Sequence, residues 1–468
     1  MNSINLSKIT IIDAIFIALN VVIIIFLFQK GVITFGDSQS YIINHIIRTP
    51  SYPLWLDFFE FLFGTEDYLL CVVYFQIIIS FTSVLFLSLV LKKYFKLGKI
   101  TFFLIYLVLI STVYSPFIYI KQNLVNQIGT DSLTYSLFLL YIGIVTKTVF
   151  KLNLKGLIYI LFISILIVTV RPQFIFLYII DVILIFYYGL KSKNIHKTIN
   201  LVLIFTVFLL SASLYQRTYN YFFHGVFSSI PPLIGTQLLV AQLYLSNPSR
   251  DVHLFHDEKQ IDFLKWLYAA IKIREKETSL SQYINDIMPY VPIKKSEAVT
   301  LENIYWTRYM DAWRACYWKV AAVCYLCNPE KQSYIESDQL KTSIALKLMK
   351  ANYFEFIKLY LGTIVSWMSY YWSGYYYHYA NLLGIIYTSF LIIQAVILTF
   401  LFLKTRQMLF FIFPLITTIH FANYGLIALF EPILLRYSFY TDTLQLVFQV
   451  LFLRYIVISV FPKLFTGR

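Results

Sequence analysis

Residues 11–29 read IIDAIFIALNVVIIIFLFQ, an apolar run broken only by Asp13 near its start and by two uncharged polar residues. A helix rises about 1.5 Å per residue, so about 20 apolar residues cross the hydrocarbon core of a bilayer. Backbone N–H and C=O groups find no water in lipid, and a run of this length satisfies them only as a helix. Similar runs recur at 68–91, 100–120, 132–150, 156–170, 173–190, 198–216, 379–403, 407–430 and 437–461. The run 156–170 is short and ends at Arg171-Pro172. The first run lacks a small-residue cleavage site and reads as a retained span, not a signal peptide. The expected fold is all-α and polytopic, with about 10–11 transmembrane helices.

Composition agrees. The chain has 468 residues, 59% hydrophobic and only 13% charged, against roughly 25% charged in soluble domains. Its mean hydropathy is +0.70. A soluble fold is excluded. With 43 Phe, 39 Tyr and 7 Trp, so is a disordered chain. The net charge of +14 invites a nucleic-acid reading until its distribution is examined. Alternate short loops hold Lys92, Lys93, Lys96 and Lys99; Lys147, Lys151 and Lys155; Lys191, Lys193 and Lys197; and Lys404 and Arg406. Lys8, Lys463 and Arg468 lie at the termini, and no acid falls within these segments. This is the positive-inside pattern. It places both termini in the cytoplasm and makes the bilayer, not nucleic acid, the partner. A bacterial inner membrane is the expected location.

The opposite face receives the loop after the first run and a long segment rich in polar residues. The chain divides into an N-terminal membrane domain (1–216), an external helical segment (217–378) and C-terminal membrane helices (379–468). Residues 351–371 are apolar enough for an eleventh span, but Glu355 and Lys358 interrupt them. Trp367, Tyr370, Tyr371 and Trp372 suit a helix lying at the headgroups, so 351–372 is expected to be interfacial.

Polar residues at the membrane boundary are the expensive ones. The first external loop reads Thr34-Phe35-Gly36-Asp37-Ser38-Gln39-Ser40-Tyr41, followed by Arg48-Thr49-Pro50-Ser51-Tyr52-Pro53. Asp37-Ser38 also suits a plain helix cap. Three further corners are expected on the same face: Gly129-Thr130-Asp131-Ser132, Val170-Arg171-Pro172, and Glu431-Pro432-Ile433-Leu434-Leu435-Arg436-Tyr437.

In order and sidedness these elements resemble the GT-C superfamily of integral-membrane glycosyltransferases, in the branch of protein mannosyltransferases and aminoarabinose transferases. The likeness rests on Asp37-Ser38-Gln39-Ser40-Tyr41, Arg48…Tyr52-Pro53, Thr130-Asp131, Arg171-Pro172 and Arg436-Tyr437. It covers roughly residues 10–220 and 350–460. A second acid after Asp37 is absent, since position 38 is Ser. The resemblance implies transfer of a sugar from a polyprenyl-phosphate carrier to a hydroxyl of a glycan, lipid or protein acceptor. It implies Asp37 as general base in an inverting single displacement. Arg48, Arg171 and Arg436 are the candidates for the phosphate, because guanidinium pairs with phosphate oxygens through a planar fork. Tyr52 and Tyr437 are candidates to hydrogen-bond the donor, and Ser38, Tyr41, Asp131 and Glu431 to contact sugar or metal. Some members of the superfamily hold a divalent metal at a first-loop acid and others need none; Asp37, Asp131 and Glu431 are the side chains that could hold Mg2+ or Mn2+ in the first case, and the sequence does not decide between the two. Each arginine also has a plain reading as a snorkelling or ion-paired residue. Three other readings compete: a transporter or flippase of lipid-linked glycans, a glycan polymerase or ligase, and a multi-span structural protein with no catalytic role.

Asp181 lies mid-span, either functional or paired with a neighbouring helix. His253 and His256 read mainly as solvated. Cys71 reads as packing, while Cys324-Tyr-Leu-Cys327 and Cys316 admit a disulfide or a redox pair with one thiol left over.

Overall fold

A computed structural model describes residues 11–35, 37–114, 123–229, 234–243, 245, 248–277, 334–373, 380–430 and 435–460. The chain is helical, and no strand occurs among the described residues. The elements are α1 (Ile11–Lys30), α2 (Ser38–Ile42), α3 (Ser51–Tyr94), α4 (Lys99–Tyr114), α5 (Thr130–Phe150), α6 (Leu154–Val170), α7 (Leu177–Ser192) and α8 (Ile195–His224). They continue with α9 (Ile234–Leu243), α10 (Pro248–Asp251), α11 (Glu258–Glu277), α12 (Tyr334–Ala351), α13 (Tyr353–Ser373), α14 (Ala380–Thr405), α15 (Met408–Phe430) and α16 (Leu435–Val460). Eight helices among the described residues are long and apolar enough to cross a membrane, and α4 and α6 are shorter apolar helices. These ten coincide with the ten runs read from the sequence. Helix α13 covers the expected interfacial segment and is not among the eight.

The chain forms two compact units. One comprises residues 1–230, 395–420 and 439–468; the other comprises 231–394 and 421–438. These units follow packing and are not the membrane and external segments divided at 216 and 378 from composition; residue 378 lies outside the described residues. Helix α8 continues without a break past Gln216 to His224, because backbone hydrogen bonding, not hydropathy, decides where a helix ends.

In the first unit α5 is the central helix, buried over most of its length, whereas α1 and α8 expose most of their apolar surface. That is the expected arrangement when lipid, not water, is the surrounding solvent. Small side chains let helices approach: a Cβ at Gly143 would stand 2.5 Å from the Phe86 ring. Asp181 is fully buried between α5, α6 and α7. Tyr141 donates to its Oδ1 at 2.9 Å and Ser164 to its Oδ2. This buried acid thus pairs with neighbouring helices, one of the two roles the sequence left open.

Helix α3 is bent at Gly64, which has φ 78° and ψ 170°. Only glycine adopts this region without strain, and no heavy atom lies within 4 Å of a Cβ built there. Gly64→Ala is expected to cost about 1–3 kcal/mol through the backbone alone. A lowered unfolding midpoint for the purified variant, with Phe63→Ala as an exposed control, would measure it.

The lysine-bearing corners gather at one end of this unit. Tyr94 stacks on Phe150 with centroids 5.0 Å apart, and Phe95 meets Phe150, Phe413 and Phe448. Arg454 donates to the carbonyls of Phe95 and Lys96 at 3.2 and 3.1 Å. Lys96, Lys193 and Arg406 each take a left-handed conformation just past a helix end, which sets positive charge beside the last helical carbonyls.

In the second unit α9 packs along α12. Asp338 of α12 accepts from the backbone N–H of Gly235 at 2.9 Å and so satisfies the first turn of α9 from outside. His253 and His256 are exposed, as expected of solvated residues. Cys316, Cys324 and Cys327 lie outside the described residues, and Cys71 is a free thiol.

Candidate functional site

The opposite end of the first unit is built around a latch. Ile33 pairs with Gln127 in a single parallel bridge. The backbone N–H of Ile33 donates to Asn126 at 2.8 Å, and that of Ile128 to Ile33 at 3.0 Å. The Asn126 side chain donates to the carbonyls of Leu27 and Gly31, each at 2.8 Å. Ser38 completes the latch: its buried hydroxyl accepts from the Phe35 N–H at 2.9 Å and donates to the Ile128 carbonyl at 2.7 Å. Gly129 is required here by space. A Cβ there would stand 2.9 Å from the Phe35 ring.

The latch brings the first loop against the start of α5 and the end of α6. Thr49 donates to the carbonyl of Val170 at 2.9 Å. Proline at 172 cannot continue α6, and Arg171 before it is extended at φ −145°. This break turns the Arg171 side chain back toward α5.

Two acid–arginine pairs result. Arg48 Nη2 donates to Asp37 Oδ1 at 2.7 Å; the side chains are 18% and 36% exposed. Arg171 pairs with Asp131, the two side chains 10% and 3% exposed. The first pair is partly wet and the second dry. Tyr41 and Thr130 link them. The Arg48 guanidinium lies 4.4 Å from the Tyr41 ring centroid and donates to its hydroxyl at 3.4 Å. The Tyr41 hydroxyl is 3.5 Å from Thr130 Oγ1, which accepts from Arg171 Nη1 at 3.2 Å. Ser40 accepts from Arg48 Nε at 2.7 Å and Gln173 from Arg171 Nε at 3.0 Å. Three corners named from the sequence are therefore one polar network.

Tyr52 stands beneath this network. It is fully buried, accepts from the Gly129 N–H at 2.8 Å and donates to Gln76 at 3.1 Å. Its hydroxyl buttresses the Gly129 turn. Gln76 in turn donates to the carbonyls of Val125 and Gln127 at 3.0 and 3.2 Å.

Tyr440 donates to Asp131 Oδ1 at 2.7 Å, and its ring lies 5.5 Å from the Arg171 guanidinium. Sequence reading selected Tyr437 instead, one helical turn earlier. Tyr437 packs in the second unit against the cluster of Met368, Leu391, Tyr424, Ile427 and Ala428. Glu431 lies outside the described residues. Arg436 is within α16, but its side chain is outside them too.

No family model, curated protein or solved structure matches this chain. The chemistry therefore rests on the residues alone. Among the described residues, no three His, Cys, Asp or Glu side chains gather as a metal-ligand set. Asp37 and Asp131 each face an arginine, so the described part of the site does not fit Mg2+ or Mn2+. The arrangement offers two guanidinium forks, one partly accessible carboxylate and several hydroxyls at one end of a helical bundle. Such a group can bind an anionic, hydroxyl-bearing ligand and accept a proton from it.

Gln76, Ser40 and Tyr440 were missed in the sequence. Gln76 carried a signal, since an amide within an apolar run is expensive without a partner. Tyr440 carried none that separates it from the many other tyrosines.

Proposed function

We propose that this chain is a membrane glycosyltransferase that moves a sugar from a polyprenyl-phosphate donor to an acceptor hydroxyl. The observation that carries the reading is the joining of the Asp37–Arg48 and Asp131–Arg171 pairs into one network through Tyr41 and Thr130. A lipid-tethered donor requires a site at the end of the spans, where its tail stays in the bilayer and its phosphate meets cations. The leaving group is already anionic, so it needs charge stabilisation more than protonation.

In this reading Arg48 has two roles. Without donor it is paired with Asp37. A phosphate competes for the same fork and releases the Asp37 carboxylate to take the proton of the acceptor hydroxyl. Direct attack of that oxygen on the anomeric carbon breaks the bond to phosphate and inverts the centre. Arg171 is held by Asp131 and Tyr440 with its guanidinium turned toward Thr130 and the first loop. The lysine-rich end faces the cytoplasm and the arginine-bearing end the outside, in a bacterial inner membrane, as positive-inside asymmetry favours. The product belongs to the cell envelope.

A second reading has its own support. His420 and Asp442 are buried with Nδ1 and Oδ1 3.7 Å apart, and Thr112 and Thr443 lie 3.1 Å apart nearby on α4 and α16. Polar groups inside spans are what a transporter of lipid-linked glycans uses. The two readings separate in one assay. Purified protein in lipid vesicles is given polyprenyl-phosphate sugars with radiolabelled sugar, together with acceptor extract. Label appearing in a non-lipid product supports transfer. Label that crosses the bilayer while still attached to its lipid supports transport.

A further inference from the structure

Beside the Asp37–Arg48 pair, the last turns of α8 bring a second polar group against the first loop. Ser51 Oγ and Tyr215 Oη lie 3.3 Å apart, one helical turn before Tyr219. Asn44 takes φ 52°, a left-handed conformation that Asn tolerates. Its Nδ2 donates to both carboxylate oxygens of Asp57, at 3.0 and 3.3 Å. Asp57 interacts electrostatically with Tyr219, and His45 with His224. The Tyr219 ring meets the His224 ring edge-on, with centroids 5.8 Å apart. Arg48 is immediately adjacent, donating its backbone N–H to the His45 carbonyl at 2.9 Å.

The hydrogen-bond inventory of this group does not close among the described residues. Asn44 Oδ1, Tyr219 Oη and His224 Nε2 are all buried and have no partner among the described residues. Buried polar atoms are nearly always satisfied, so three orphans in one place mark where an external partner fits. Their chemistry narrows it. An amide oxygen accepts, a phenol donates or accepts, and an imidazole nitrogen does either. Burial and the charge of Arg48 hold the His45 imidazole below its ordinary pKa, so it is neutral at pH 7. With the Asp57 carboxylate present, a phosphate or carboxylate ligand is disfavoured here. His45, Asp57 and His224 do not gather as a metal-ligand set. Hydroxyl groups both donate and accept, and an uncharged ring carrying several of them meets all three orphans.

We propose that Asn44, His45, Asp57, Tyr219 and His224 form a binding subsite for an uncharged sugar ring beside the Asp37–Arg48 pair. Sugar binding is the subsite's own property; its use in transfer rests on the function proposed above. The sugar is a unit of either the acceptor or the donor.

The test uses the full chain in lipid nanodiscs free of sugar detergents. Saturation-transfer NMR is recorded with the methyl glycosides of glucose, galactose, mannose and N-acetylglucosamine. At least one is expected to receive saturation, weakened about fivefold in Tyr219→Phe and in His224→Phe through loss of one hydrogen bond. Tyr219→Phe removes an oxygen with no partner among the described residues, so its unfolding midpoint should equal or exceed that of the wild type. That separates loss of binding from loss of fold. Saturation of none of the four probes, or equal saturation in both ring variants, overturns the subsite. If the wild type binds sugar through these residues yet transfers none, the subsite stands and the transferase reading falls. If it transfers and Tyr219→Phe binds unchanged, the reverse holds. In an active preparation, a raised KM for acceptor alone or donor alone in Tyr219→Phe assigns the sugar.

Discussion

Arg171→Ala is expected to destabilise the protein by about 3–5 kcal/mol, the largest single-residue effect in the membrane core. Asp131 is 2% exposed, and its Oδ1 accepts from both Arg171 and Tyr440. Removing the guanidinium leaves a buried carboxylate without its cationic partner, although Tyr440 still donates to it. Either it takes up a proton or the N-terminal turn of α5 opens to hydrate it. The cost arises from the stranded charge more than from the lost attraction, since much of the pair's Coulombic gain is offset by desolvation. This makes the prediction sharper than a simple loss. Asp131→Asn combined with Arg171→Gln should recover most of the stability, because no uncompensated charge then remains. Denaturant unfolding of the two single variants and the double variant in detergent gives the coupling. Additive single costs, each below about 1 kcal/mol, would show that the pair is not a buried ionic unit. If Arg171 also serves the donor phosphate, the stable double variant will still lack transfer. Stability and function are thereby read on the same protein.

Asp37→Asn is expected to behave in the opposite way. Its pair with Arg48 is partly exposed, and pairs of this kind contribute about 0–1 kcal/mol. The variant should therefore fold and accumulate at the normal level. If Asp37 is the general base, transfer should fall about 10²–10⁴-fold, because the amide cannot accept the acceptor's proton. Cells carrying the variant should lose the surface glycan and accumulate the lipid-linked sugar. Normal glycan at normal protein level would sink the assignment. The contrast between the two residues is useful: one acid costs stability when its partner is removed, and the other is expected to cost chemistry alone.

Several local features of the site were legible in the sequence. The break at Arg171-Pro172 follows from the missing N–H of proline, and the first-loop acid and Arg48 lie only eleven positions apart. Gln76, passed over in the sequence, carried a signal as a polar residue that an apolar span must satisfy. The role of Tyr52 was not legible. An external-boundary tyrosine reads as an aromatic-belt or ligand residue until the turn at Gly129 is seen resting on its hydroxyl at 2.8 Å. Tyr437 and Tyr440 were equally indistinct, since both sit on the same apolar helix within one turn of each other.

The sequence by itself determined that this chain lives in a membrane, that it is helical, where ten long apolar runs lie, and which loops carry the positive charge. These are local properties, set by hydropathy over about 20 residues and by the backbone's need for hydrogen bonds in lipid. Only the tertiary structure decided which polar groups meet. Asp131 finds Arg171 40 residues away and Tyr440 309 residues away, and Asp57, held by Asn44, interacts with Tyr219 near the end of α8. Those pairings depend on how far each helix slides and rotates against its neighbours, which packing across the bundle fixes and no periodicity within one helix encodes.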